Sequence, residues 1–403
     1  MHILMISDVY FPRINGVSTS IDSFRSELHA LGHRVTLICP EYPESHALAR
    51  ASDHVDDEDI LRIPARRVIF DPEDRMMRFN VTCGLIPILR SRAVDLVHIH
   101  TPFVAHYAGV KIARALGLPV VESYHTFFEE YLYNYIHWLP KSWLKNAARF
   151  FSRSQCNDVD ALIVPSTPMR NTLLTYGVNT PMHIIPTGLN LTQFCTPIAH
   201  DFRAQIGITA EQPMLLFVGR VALEKNIDFL LTMLPFVLEK NPHAILVIAG
   251  EGPAERHIKQ QIDQLGIHAS VKCVGYMRRD GALQDAYRAA DVFVFASRTE
   301  TQGLVLVEAL ALGTPVVALG VMGTLDVLNA EGGCVIPAEE PRAFAEAINH
   351  LINTPAHHQH MTEQALHYAK CWSAEQKTQQ LLSQYAQLID KNSPAQSDNG
   401  LVH

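Results

Sequence analysis

Short runs of consecutive apolar residues alternate along this chain with longer stretches whose apolar positions recur every three or four residues. Residues 2–7, 35–39, 94–100, 120–124 and 161–165 have the length and β-branched content of strands buried on both faces. Between them, residues 18–31 (stopped by Gly32), 103–116 and 167–175 carry helical spacing, while Pro12 and Gly16 punctuate a loop over 8–17. A second series of buried runs, 215–218, 244–249, 271–274, 292–296 and 316–319, is again interleaved with helical stretches. This alternation predicts an α/β fold of doubly wound parallel sheets, with loops gathered at the carboxyl ends of the strands.

The two series part at a Pro-containing segment over 194–201, so the expected domains are 1–194 and 195–371. Two sheets with their loops at one end predict a ligand cleft between these domains. A Gln- and Leu-rich helix is expected over 372–391, followed by a polar tail over 392–403 with too little apolar surface to order itself. The acidic run Asp56-Asp57-Glu58-Asp59 reads as a solvated loop.

Composition narrows the class. At 403 residues, 48% hydrophobic and mean hydropathy +0.05, the chain is expected to fold around two cores in water. A net charge of −8 argues against a nucleic-acid partner. No run approaches the ~18 apolar residues of a membrane span, and the first residues open a strand rather than a signal peptide, so a cytoplasmic location is expected. The seven cysteines are scattered, with no Cys-x-x-Cys, and no His-x-x-x-His pair has zinc-enzyme spacing. No metal or cofactor is expected.

The chemistry concentrates in Ser297-Arg298-Thr299-Glu300-Thr301-Gln302-Gly303-Leu304-Val305-Leu306-Val307-Glu308. The segment follows a buried strand and precedes the helix stop Gly313-Thr314-Pro315, so Glu300 lies in a strand-to-helix loop and a helix starts near Gly303. A helix N-terminus offers free amides and a positive dipole end to phosphate. Glu308 falls roughly 7–8 Å along that helix. A nucleotide-sugar suits the pattern: diphosphate on the Gly303, Leu304 and Val305 amides, ribose on Glu308, sugar on Glu300. Taken alone, two such glutamates are usually a loop and a solvated helix face. The neighbouring strand-end loops change that balance. One holds Arg220 and Lys225, able to clamp a diphosphate as a fork and a point charge. The other holds Gly250-Glu251-Gly252-Pro253, a tight turn open to close backbone approach.

These residues resemble the retaining glycosyltransferases of family 4. The match lies in E-T-Q-G-L-V-L-V-E (300–308), G-R-V-A-L-E-K-N (219–226), A-G-E-G-P (249–253), N-G-V-S-T-S (15–20) and Y-H-T-F-F-E-E-Y (124–131), and extends over about 1–370. The resemblance implies the GT-B architecture, two Rossmann-like domains facing across a cleft, and transfer of a hexose from a GDP- or UDP-linked donor with no metal required. It assigns Arg220 and Lys225 to the diphosphate, Glu300 to the donor sugar, Glu308 to the ribose and Gly16 to close contact with phosphate or sugar. His125 would face the reacting sugar, Gly250 would border the donor, and Met277 would lie in the base-binding segment 274–277. His98 and His100 share a strand face and are expected to be packed instead. Retention is explained in this family by same-face attack, and the chain shows no carboxylate pair that must straddle a glycosidic bond.

The resemblance is to enzymes acting on diacylglycerol or related lipids, and one stretch suits such an acceptor. Over 137–153, Lys141, Lys145, Arg149 and Arg153 recur every four residues beside Trp138, Trp143 and Phe150, as on helices that lie on anionic lipid. Arg75-Met76-Met77-Arg78-Phe79 is a weaker second candidate. A membrane glycerolipid or glycolipid acceptor and a peripheral membrane location are therefore expected. The competing readings are transfer to a soluble or polysaccharide acceptor, a sugar-nucleotide epimerase, and a binding module without catalysis.

Overall fold

The computed structural model describes residues 1–42, 58–67, 75–125, 141–196 and 201–392. They form two compact units. The first comprises Met1–Pro165, Arg170–Pro186 and the residues from Lys377 onward, and the second Ser166–Met169 and Thr187–Gln376.

In the first unit the chain runs through β1 (His2–Ile6), β2 (Arg34–Pro40) and β3 (Ile60–Ile63), then a small antiparallel ribbon, β4 (Ala65–Arg67) with β5 (Arg75–Met77). β6 (Leu96–Ile99), β7 (Val120–Ser123), β8 (Ala161–Val164) and β9 (Met182–Ile184) follow. The seven-stranded sheet has the order β3-β2-β1-β6-β7-β8-β9 and is parallel at every pairing. Its central strands are buried on both faces, which is why they read as continuous apolar runs. Helix α1 (Gly16–Ala30) starts two residues earlier than its apolar spacing suggests, because Asn15 caps it. The Asn15 side chain accepts from the Val17 and Ser18 amides, and Ser18 Oγ accepts from the Asn15 amide. Helix α2 (Val104–Leu116) crosses from β6 to β7 and stops at Gly117, whose φ of +70° closes a left-handed cap.

In the second unit β10 (Met214–Val218), β11 (Ile245–Ala249), β12 (Val271–Gly275), β13 (Val292–Phe295), β14 (Val316–Ala318) and β15 (Cys334–Val335) form a parallel sheet of order β12-β11-β10-β13-β14-β15. β10 and β13 sit at its centre, where Phe217, Phe293 and Phe295 stack. β11 and β10 lie on one side and β13 and β14 on the other, so chain order reverses between β10 and β13. In such sheets ligands collect at the carboxyl ends beside that reversal.

Strands β3, β9 and β15 escape the sequence reading. They are short and lie at or near sheet edges, and β3 and β9 are largely half-exposed, so none shows a long apolar run. The boundary also differs. Leu189, Phe194 and Phe202 pack into the second core, which moves the division to 186/187 from the expected 194/195. The last helix, Ala374–Asn392, begins in the second unit, yet its Leu381 and Tyr385 are wholly buried against Ile3, Met5 and Phe24 of the first. It is thus no separate element. Asp59 is not solvated: it is buried and accepts from Arg34 at 2.7 Å and Arg92 at 2.8 Å, pairing the start of β2 to the turn before β6. In the weaker basic candidate, Arg75 is buried and only Met76 of the β5 residues is exposed, so strand alternation splits that patch. The residues at 43–57 and the polar tail lie outside the described residues.

Candidate active site

At the carboxyl edge of the second sheet the sequence-predicted residues converge on the loops after β10 and β13. β10 ends at Val218, and the chain turns through Gly219 and the exposed Arg220 into a short 3-10 turn, Leu223–Lys225. Asn226 adopts φ +54° and donates from Nδ2 to the Ala296 carbonyl at the end of β13 (3.1 Å). That tether brings Lys225 to the next loop, where its Nζ pairs with Glu300 Oε1. Both side chains are about a fifth exposed.

Three contacts fix the backbone around Glu300. Its carbonyl accepts from the Gly323 amide (2.9 Å), and the Thr301 carbonyl accepts from Ser166 Oγ (2.7 Å). Gln302 is buried, with Nε2 donating to the Thr187 carbonyl and Oε1 accepting the Thr187 amide, each at 2.8 Å. The side-chain amide pairs with the backbone as a strand neighbour would. Gly303 then adopts φ +88°, where a side chain is strained, and starts helix α3 (Leu304–Ala311). No side chain caps this helix and no acidic residue occupies its first turn, so its leading amides are left for an anion.

Gly250 has a role within the protein itself. A Cβ there would lie 1.8 Å from the Gly219 carbonyl oxygen, so the glycine lets the β10 and β11 loops touch. Gly250 donates its amide to the Gly275 carbonyl (2.8 Å), and Glu251 accepts the Tyr276 amide (3.3 Å). These bonds position the segment that carries Met277, itself half-buried against the second core.

Glu308 is fully buried. Tyr287, on the helix Ala282–Ala289, donates its hydroxyl to Oε2 at 2.8 Å, and Arg279 Nη1 lies 2.7 Å from Oε1. Burial raises the Tyr287 hydroxyl well above its ordinary pKa, with Glu308 adding to the shift. Burial opposes the charge on Arg279, but the charge of Glu308 outweighs it and raises the guanidinium. Neither partner is among the candidate site residues of the sequence, because both lie outside the Glu300–Glu308 motif.

At the carboxyl edge of the first sheet three histidines gather. His98 and His100 share a face of β6 and its end, with ring centroids 4.0 Å apart, and His125 after β7 stacks on His100 at 5.6 Å. His98 bonds Tyr385 through Nδ1 (2.5 Å) and Ser123 through Nε2 (2.8 Å), and His100 Nδ1 lies 3.4 Å from His125 Nε2. Burial pushes His98 down to about 3 and His125 to about 4. It lowers His100 well below its ordinary value too, with the other two rings adding to the shift. A neutral imidazole has one N–H, so His98 donates to one of its two partners and accepts from the other. Gly16 opens α1, and a Cβ there would meet nothing within 4 Å. The space over it is free.

The basic-aromatic stretch forms helix Lys141–Cys156. Trp143 and Phe150 are 72% and 77% exposed and lie two turns apart on one face, with exposed Lys145, Arg149 and Arg153 alongside. Ala148, Ser152, Gln155 and Cys156 form the buried face. The helix therefore turns two large apolar side chains outward, against the usual pattern. Trp138 lies outside the described residues, as does the side chain of Lys141. Among the described residues no helix is long and apolar enough to cross a membrane, and no cluster of three or more His, Cys, Asp or Glu could hold a metal ion.

Residues 14–193 match the family described as Glycosyltransferase Family 4, and 199–368 match Glycosyl transferases group 1. The chain is 34% identical to the alpha-monoglucosyldiacylglycerol synthase of Streptococcus pneumoniae, over 79% of this chain and 71% of that one. It is 27% identical to the GDP-mannose-dependent alpha-mannosyltransferase of Mycobacterium tuberculosis, over 88% of each. The structure of Anabaena HepE in complex with UDP-glucose superposes with a TM-score of 0.74 at 17% identity, covering 96% of this chain and all (100%) of that one. Two parallel Rossmann-like sheets and matches to both halves of one enzyme family lead to one identification: the chain belongs to the family 4, group 1 glycosyltransferases of GT-B fold and is a hexosyltransferase that uses a nucleotide-sugar donor.

Proposed function

We propose that this enzyme moves glucose or mannose, with retention of anomeric configuration, from a nucleoside diphosphate to a hydroxyl of a membrane glycerolipid or glycolipid. The exposed Trp143–Phe150 face with its row of basic residues carries the lipid assignment, since a helix in water gains nothing by exposing two large aromatic rings. The relatives that act on diacylglycerol support it. Cationic residues beside the rings favour an anionic surface, each worth about 1 kcal/mol near such a membrane.

For the donor, the diphosphate rests on the uncapped amides of α3 and exchanges into the Lys225–Glu300 pair, with Arg220 on its outer oxygens. Lys225 then neutralises phosphate while Glu300 is released to the sugar hydroxyls. Glu308 receives the ribose, and Met277 borders the base. Gly16 and His125 keep the donor-side roles that the family resemblance gives them, His125 as an uncharged hydrogen-bonding group. In the transfer step the acceptor oxygen bonds to the anomeric carbon on the face that the diphosphate leaves. The anomeric C–O bond to phosphate breaks, and the acceptor proton passes to a departing phosphate oxygen. The protein's part is charge stabilisation and positioning.

Purified enzyme, supplied with UDP-glucose or GDP-mannose and diacylglycerol in phosphatidylglycerol-containing vesicles, is expected to yield an α-linked glycolipid, read by chromatography and by the anomeric proton coupling in NMR. A β-linked product would overturn retention. Transfer to water-soluble acceptors alone would overturn the lipid acceptor. Free altered sugar without glycoside would identify an epimerase.

A further inference from the structure

Glu308 is placed where water does not reach, yet the proposed donor site needs its oxygens for ribose hydroxyls. Its Oε2 is taken by Tyr287. Its Oε1 lies 2.7 Å from Arg279 Nη1 but has no hydrogen bond of good geometry, although it is fully enclosed. The contact with Arg279 is therefore one of charge more than of directed bonding, and the Oε1 lone pairs remain open to new donors. A ribose 2′,3′-diol offers two adjacent O–H groups, which suits an oxygen with two open lone pairs. The two present partners differ in access: Tyr287 is fully buried, whereas Arg279 is about a third exposed. Arg279 also lies two residues beyond the 274–277 segment that is expected to meet the base, so a bound nucleoside would arrive near it.

Resting on the reading that Glu308 receives the donor's ribose, we propose that Arg279 is the positioning residue through which Glu308 reads that sugar. It supplies the counter-charge a buried carboxylate requires, and as the partner with access to water it rolls aside to admit the diol to Oε1. A nucleotide without the diol gives Oε1 no donor and leaves the guanidinium in place. Arg279 thus turns Glu308 into a selector for ribonucleotides.

Calorimetric titration of the full-length protein with UDP and GDP, and with their 2′,3′-dideoxy counterparts, tests this in wild type, Arg279→Met and Arg279→Lys. Wild type is expected to favour the ribonucleotide at least tenfold. Arg279→Met is expected to bring the ratio within threefold, with the loss confined to the ribonucleotide, and Arg279→Lys to recover most of it. A tenfold preference kept in Arg279→Met would overturn the proposal and leave the ribose placement standing. Equal binding of both nucleotides by wild type would overturn the ribose placement and the proposal with it. If Arg279→Met fails to fold, Arg279→Gln, which keeps a donor without the charge, is measured against the same thresholds.

Discussion

The carboxyl edges of the two sheets are built from the same strand-loop-helix plan and carry different sets of side chains. The second carries ion pairs, Lys225 with Glu300 and Arg279 with Glu308. The first carries three imidazoles, all shifted by burial toward their uncharged form. A diphosphate leaving group carries negative charge, and on the proposed function Lys225 meets it once the donor displaces Glu300. A neutral sugar needs hydrogen bonds of fixed direction, and a stacked imidazole provides those. On the proposed function, the ion pairs of the second unit would meet the diphosphate, and the imidazoles of the first would act as neutral hydrogen-bonding groups.

Four measurements test the contrast, from the largest effect down. Arg279→Met leaves Glu308 buried and unpaired, and urea unfolding is expected to show a loss of about 3–5 kcal/mol. A loss under 1 kcal/mol would show the pair to be electrostatically idle. Lys225→Ala is expected to lower turnover at least tenfold, about 2–4 kcal/mol of transition-state stabilisation by analogy with an oxyanion donor, with unfolding within ~1 kcal/mol of wild type. Wild-type turnover in that variant would remove the clamp.

Acidification probes the other edge. His98 titrates near 3 in the folded chain against 6.5 unfolded, so between those values the unfolded chain binds a proton that the folded chain does not. His100 acts in the same sense. Stability is thus full above pH 6.5 and falls as pH drops below it, by up to about 1.4 kcal/mol per pH unit for each ring. A Tm that holds steady from pH 7 to 5 would mean that the rings are charged already, and the contrast would collapse. Smallest is the lipid face. Lys145→Ala and Arg149→Ala should each weaken binding to anionic vesicles by about 1 kcal/mol in flotation, and Trp143→Ala should weaken binding even to neutral ones. Unchanged flotation in all three would leave that helix without a membrane role.

Much of this was legible in the sequence. Central strands buried on both faces announce themselves as unbroken apolar runs, and the Glu300–Glu308 loop is recognisable because its residues are consecutive. What escaped is what spacing along the chain does not encode. Arg279 and Tyr287 lie 29 and 21 positions before Glu308 and reach it only because α3 packs beside the preceding helix. Tyr385 is 287 positions from His98. Gly250 read as a ligand turn, but its missing Cβ accommodates the Gly219 backbone, a contact between two loops that neither predicts alone. Asp59 looked solvated because its neighbours are acidic, whereas its partners, Arg34 and Arg92, are distant in sequence.

The last helix carries a consequence for how the molecule is made. Leu381 and Tyr385 fill the core beneath β1 and β2, so the first unit, which starts at β1, closes only with residues from Lys377 onward. The second unit is almost contiguous and is complete once Gln376 has emerged from the ribosome. Vectorial synthesis therefore inverts the expected order: the later-encoded unit can finish folding while the earlier one still waits with an open core. Released chains truncated just beyond residue 376 should protect the second unit from protease and leave the first one susceptible.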